Sequence, residues 1–294
     1  MNLENPKVLF DGIVKGNYHK GGIKCLKLFR VREPFFSQVR KEAIELVSSL
    51  KPSLVTEYSH VTNWTKPVGT AAQYSLLNRS GRLDDTSVDH NLSVLDKKFH
   101  FASQYPALGE FISTFKHAIN MRLNLLERKS ALSPHEEHIV HRDKTGKFFL
   151  RTRFHLPLFT NLKAEMLLDN EIFHFEEGYI YFFNNGTIHS ATNFSPEKRY
   201  HFVWDMLLTK ESYDLMFNPS GAGPEHFERI SGDEQLIFPL RKTDIKEYRV
   251  SGIGSSIYKR LKLERIGIQP HKFQNFYNNL EYLYPKKIDF ANVR

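Results

Sequence analysis

The chain has 294 residues, of which 40% are hydrophobic and 13% aromatic, enough apolar mass to bury a core in one large domain or in a domain with an appendage. A single cysteine, Cys25, excludes an internal disulfide and a cysteine zinc cluster and makes a reducing compartment the expectation. The 41 basic residues exceed the 33 acidic ones, yet the two signs interleave along the chain, which speaks for a solvated surface and against a nucleic-acid stripe.

No apolar run approaches membrane-spanning length, and residues 1–7 carry no signal core, so a soluble cytoplasmic protein is expected. Glu33-Pro34 opens a predicted helix that runs to Leu50. Phe36, Val39, Ala43, Ile44 and Val47 recur in it at helical spacing, and Pro52 lies beyond its end. Residues 53–100 mix strand-like pieces with polar turns and read as outer strands or a lid. A second helix is predicted over 105–117 and a strand over 121–125. The polar, histidine-rich stretch 134–138 then leads to His141-Arg142-Asp143.

After that motif the chain alternates. Arg151, Arg153 and His155 fall on one face of a strand, and Leu150, Thr152, Phe154 and Leu156 on the other. An apolar outer face and a cationic inner face suit a barrel whose lumen holds an anion. Residues 177–183 are β-prone and aromatic, and they run into Asn184-Asn185-Gly186, a hairpin signal because Asn and Gly tolerate positive φ. His189 then begins the returning strand. A polar turn over 193–198 precedes another strand over 199–208, so that successive antiparallel strands are expected to bring His189 and Arg199 together. His201 and Asp205 read as structural groups rather than ligands.

Beyond Leu208 the run Pro219-Ser220-Gly221-Ala222-Gly223-Pro224 is a boundary signal. Gln269-Pro270 starts a predicted helix carrying Phe273, Phe276, Tyr277, Leu280 and Leu283. Residues 1–210 are thus expected to form one domain, and 211–294 a mainly helical region serving as a lid or a homodimer surface.

His-x-Asp or His-x-Glu occurs four times, at His135/Glu137, His141/Asp143, His174/Glu176 and His226/Glu228; any one alone reads as a solvated loop or strand end. The strand that follows selects His141/Asp143. Two imidazoles and a carboxylate hold ferrous iron on one face and leave the opposite face open for oxygen chemistry, and His189 completes such a set. Arg199 supplies the two-pronged donor that a dicarboxylate co-substrate needs. These residues point to an Fe(II)- and 2-oxoglutarate-dependent oxygenase.

Over residues 105–208 the chain also resembles the aspartyl/asparaginyl β-hydroxylase-like oxygenases, with the bacterial free L-proline cis-4-hydroxylases nearest among them. The resemblance rests on Pro106-Ala107-Leu108 with Glu110, Met121-Arg122-Leu123-Asn124-Leu125, His141-Arg142-Asp143, Arg153-Phe154-His155-Leu156, Glu177-Gly178, His189 and Arg199-Tyr200-His201. It implies a mostly β, double-stranded β-helix (jelly-roll, cupin-like) core with flanking helices. It further implies iron on His141, Asp143 and His189, and 2-oxoglutarate on Arg199 with help from Arg153 and His155. Keeping Asp143 favours the small-molecule branch, and hydroxylation over halogenation. The expected reaction hydroxylates an unactivated C–H of a free amino acid or related metabolite, consuming O2 and releasing succinate and CO2. A nonenzymatic metal or 2-oxoglutarate sensor, and an oxygenase acting on protein or nucleic acid, remain as alternatives.

Overall fold

The computed structural model describes residues 5, 8–9, 12–13, 22–51, 53–54, 69–85, 97–116, 118–132, 137, 139–142, 148–221 and 223–243, with the backbone alone at 54, 140–142 and 148–149. The alternating run after the His-x-Asp motif forms the long strand β7 (Phe148–Phe159), which lies at the centre of a nine-stranded antiparallel sheet. Its companions are β1 (Cys25–Val31), β2 (Ser53–Leu54), β3 (Ala71–Ser75), β4 (Ala118–Leu126), β6 (Val140–Arg142), β10 (Tyr179–Phe183), β12 (Arg199–Leu207) and β13 (Phe227–Arg229). They run in the order β13-β1-β10-β7-β12-β4-β3-β2, with β6 also paired to β7. A second sheet, β14-β9-β8-β11-β5, contains β5 (Ser130–Ala131), β8 (Ala164–Leu168), β9 (Glu171–Phe173), β11 (His189–Asn193) and β14 (Arg241–Lys242). Leu126, Tyr181 and Phe183 of the first sheet cluster with Met166, Leu168, Phe173 and Ala191 of the second, so the two sheets face each other across a shared interior. The result is a double-stranded β-helix with helices on one side.

The outer face of the large sheet is covered as its sequence requires. Phe154 and Trp204, neighbours across β7 and β12, stack with ring centroids 5.5 Å apart. Phe115 closes on Trp204 at 4.6 Å, and Phe217 on Phe182 at 5.5 Å. Each such ring contributes about 1.5–3 kcal/mol by leaving water. Helix α1 (Phe35–Ser48) buries Phe36, Val39, Ala43 and Val47 of the expected stripe together with Phe35 and Leu46, while Ile44 is half-buried at its edge. Helix α2 (Pro106–Thr114) opens with proline in its first turn and buries Leu108, Phe111 and Ile112. The two helices are tied where the Leu108 backbone N–H donates to the Glu42 carboxylate at 2.8 Å.

Three expectations are corrected. Asn184-Asn185-Gly186 makes no hairpin: β10 pairs with β1 and β7, whereas β11 pairs with β8 and β5, so the turn carries the chain from one sheet to the other. Gly186 takes no left-handed φ there. The crossing is held instead by the Asn184 side chain, which donates to the carbonyls of Ile13 and Ile23 at 2.9 and 2.8 Å. His189 and Arg199 consequently stand on facing sheets, not on adjacent strands. The division after residue 210 does not separate packing units among the described residues. Helix α3 (Lys210–Met216) is followed by β13, which pairs with β1, and by β14, which pairs with β9. Residues 244–294, with the helix expected after Gln269-Pro270, lie outside the described residues. So do most of the residues expected as outer strands or lid between 55 and 96, although β2 and β3 do extend the sheet edge.

Candidate active site

Strand register lays the interior out in rows. Arg199 of β12 lies beside Leu126 of β4, and His201 beside Asn124 and Pro157. Val203 lies between Arg122 and His155, and Asp205 between Asn120 and Arg153. Because successive side chains alternate, Arg199, His201, Val203 and Asp205 all share the face turned toward the second sheet, as do Arg153 and His155. A cavity between the sheets is lined by Arg122, Glu137, Arg153, His155 and Arg199, together with His189 and Ser190 from the facing β11.

At one end of this interior the cations are paired with acids: Arg122, Arg151 and Arg153 share the carboxylates of Glu137 and Asp205. Arg153 donates from Nε and Nη2 to the two oxygens of Asp205 at 2.7 and 2.9 Å, and from Nη1 and Nη2 to Glu137, the latter at 2.8 Å. Arg151 donates to the same Glu137 at 2.7 Å, and the Asn185 side-chain amide donates to it at 3.3 Å. Asn120 donates to Asp205 at 2.9 Å and accepts from its backbone N–H at 3.0 Å. Burial opposes ionisation of both carboxyls, but the Arg153 and Arg151 guanidinium groups outweigh it and hold Asp205 and Glu137 below the usual carboxylate range. Glu137 had read as part of a solvated His-x-Glu; it is instead part-buried inside the site, with one oxygen 4.0 Å from His189 Nε2. The remaining two patterns lie outside the cavity. His174 contacts the Ala164 carbonyl and Glu176 pairs with Lys27, while His226 stacks on Phe35 and meets Glu110.

The other end is not compensated. Arg199 is 3% exposed, yet no carboxylate among the described residues lies within ion-pair distance of it. Its Nη2 hydrogens go to Met166 Sδ at 2.9 Å and His201 Nδ1 at 2.8 Å, and its Nε–H has no partner among the described residues. Burial without a counter-charge pushes the guanidinium down to about 9. Both nitrogens of His155 are likewise buried without a described partner; burial, then Arg199 and Arg153, keep that ring neutral.

His189 is set for ligation. Its Nδ1 lies 2.9 Å from the Thr187 carbonyl, which can only accept, so the proton sits on Nδ1 and Nε2 presents the lone pair that a metal takes. The ring packs edge-on against Phe183 at 5.0 Å. Strand β6 places the His141 backbone opposite Phe149 of β7, beside the Arg151–Arg153 end. The His141 side chain and Asp143 lie outside the described residues, and among those described no group of three ligating side chains converges. Nearest-neighbour tautomer and charge nevertheless fit the expected groups: an imidazole with its Nε2 lone pair inward on one sheet, and an unneutralised cation for a carboxylate on the other.

The chain belongs to the aspartyl/asparaginyl β-hydroxylase family, whose sequence profile matches residues 37–208. It is similar to L-proline cis-4-hydroxylase of Rhizobium meliloti (strain 1021), 28% identical over 179 residues, which span 60% of this chain and 61% of that protein. Among solved structures it is similar to an oxidoreductase of the 2OG-Fe(II) oxygenase family from Burkholderia pseudomallei (TM-score 0.32, 12% identity, 60% of this chain and 94% of that one). It is also similar to the non-heme alpha-ketoglutarate-dependent epimerase SnoN of nogalamycin biosynthesis (TM-score 0.39, 13% identity, 82% and 98%).

Proposed function

We propose that this protein is an Fe(II)/2-oxoglutarate-dependent dioxygenase that hydroxylates an unactivated C–H of a free amino acid or a closely related metabolite. The observation that supports it most is Arg199, a buried cation with no counter-ion among the described residues, in a cavity that also receives His189 from the opposite sheet. A buried charge left unpaired is strongly unfavourable, so a fold that keeps one is organised around an anion it binds. Arg199 would take the distal carboxylate of 2-oxoglutarate, and His155 would donate to the same molecule. His141, Asp143 and His189 would hold the iron. When bound, iron and 2-oxoglutarate supply the oxidising power for oxygen insertion, with release of succinate and CO2.

The chain's own residues orient these groups. Thr187 fixes the His189 tautomer, and Arg153, held by Asp205 and Glu137, stiffens the wall beside it rather than offering a vacant fork. The amino-acid substrate class follows the name of the proline-hydroxylating relative; a cytoplasmic setting suits the single cysteine. The test is a library of free amino acids screened for substrate-stimulated succinate formation with Fe(II), 2-oxoglutarate and air. Stimulation by one or a few members, abolished in His189→Ala, is expected. Binding of 2-oxoglutarate without turnover on any member would favour a sensor instead.

A further inference from the structure

Arg199 and Arg153 are both held in place, but by chemically different partners. Arg153 is gripped by carboxylates, which cancel its charge. Arg199 is gripped by a thioether sulfur and an imidazole nitrogen, which do not. His201 stands two residues along β12 from Arg199 and is 1% exposed. A guanidinium has donors alone, so His201 Nδ1 must be the acceptor of the 2.8 Å contact and the ring's single proton must sit on Nε2. That Nε2–H is buried and has no hydrogen-bond partner among the described residues, a standing cost that a leucine or phenylalanine here would avoid. Burial, then the charge of Arg199, hold the ring neutral. The cost has a return if the position requires an acceptor that carries no charge.

We infer that His201 is the positioning residue of the anion site: a neutral acceptor that fixes the Arg199 guanidinium while leaving its positive charge available to a carboxylate ligand. The ligand class is a dicarboxylate such as 2-oxoglutarate, and the inference rests on the co-substrate reading above. An Asp or Glu at 201 would hold the arginine equally well, but it would neutralise the arginine as Asp205 neutralises Arg153.

Asparagine and aspartate separate these roles, because they share a shape, place an oxygen close to where Nδ1 stands, and differ in charge. Binding of 2-oxoglutarate is measured by calorimetry on the full chain, metal-free and with Fe(II) under anaerobic conditions, alongside the melting temperature of the ligand-free protein. His201→Asn is expected to bind within about threefold of the unsubstituted protein. His201→Asp should bind about ten- to a hundredfold more weakly, the range for losing a hydrogen bond to a charged group, while melting no lower than His201→Asn. His201→Leu, which leaves the fork unheld, should fall between them, and Fe(II) affinity should not change in any of the three. Equal affinities for the Asn and Asp variants would overturn the assignment, as would parallel losses of affinity and melting temperature across the set. If the unsubstituted protein bound no 2-oxoglutarate, the co-substrate reading itself would fail and this inference with it; normal binding that is indifferent to His201→Asp would sink this inference alone.

Discussion

Two arginines on adjacent strands of one sheet show how the same side chain serves opposite ends. Arg153 on β7 meets Asp205 and Glu137 and gains their hydrogen bonds, so at its end of the cavity the guanidinium is tied into a closed hydrogen-bonded network with acids on both sides. Arg199 on β12 meets sulfur and imidazole and remains an open charge. Burial is nearly equal, at 5% and 3% exposure, so solvent access does not distinguish them. The partners do: paired carboxylates offset the charge of a buried cation, and neutral acceptors hold it without offsetting that charge.

Breaking the closed end should have the largest effect. Asp205→Ala would leave Arg153 facing Glu137 alone and Asn120 without its acceptor, and should cost roughly 3–5 kcal/mol in denaturant unfolding. Pairing it with Arg153→Met should recover most of that loss; a single-variant cost under about 1 kcal/mol would contradict the closed network.

Arg199→Lys probes the open end. A lysine point charge cannot reproduce the guanidinium fork, so the apparent KM for 2-oxoglutarate should rise about ten- to a hundredfold, equivalent to roughly 1.5–3 kcal/mol, while anaerobic Fe(II) titration stays unchanged. An unaltered KM would move the anchor elsewhere on the inner face.

Acid titration sharpens the contrast further. The Asp205 carboxyl is held below its unfolded value, so its contribution to stability is complete above about pH 4 and is lost as pH falls toward its folded pKa. Below about pH 4 the unsubstituted protein should therefore lose stability more steeply than Asp205→Asn, by up to about 1.4 kcal/mol per pH unit. Parallel acid-unfolding curves would show that Asp205 does not titrate between the two states. The smallest effect is expected from Arg199→Met in the ligand-free protein. Removing an uncompensated buried charge should leave unfolding free energy within about 0.5 kcal/mol of the parent or raise it, whereas 2-oxoglutarate should no longer raise the melting temperature.

The amino-acid sequence by itself determined those features that depend on near neighbours. Helix α1 follows from helical spacing, β7 from alternation, and β10 and β12 from aromatic and β-branched composition, all of them local properties of the chain. The two-faced character of β7, with Phe154 outside and Arg153 and His155 inside, was equally legible because alternate residues must point to opposite faces. Arg199 stood out as a candidate by residue type and by its spacing from His189. Which strands pair was not, because that is settled between segments far apart in the chain: Asn-Gly after β10 signals a hairpin, yet β10 found partners in β1 and β7 and left β11 to the other sheet. For the same reason Glu137 looked like a loop residue until Arg151 and Arg153 drew it inside, and β13 and β14, three and two residues long, are too short to show any period. Asp205 lies 52 residues from the arginine it neutralises, and no acid reaches Arg199 among the described residues. Charge compensation is a sum over neighbours in space, so which arginine is closed and which is open was decided by the tertiary structure.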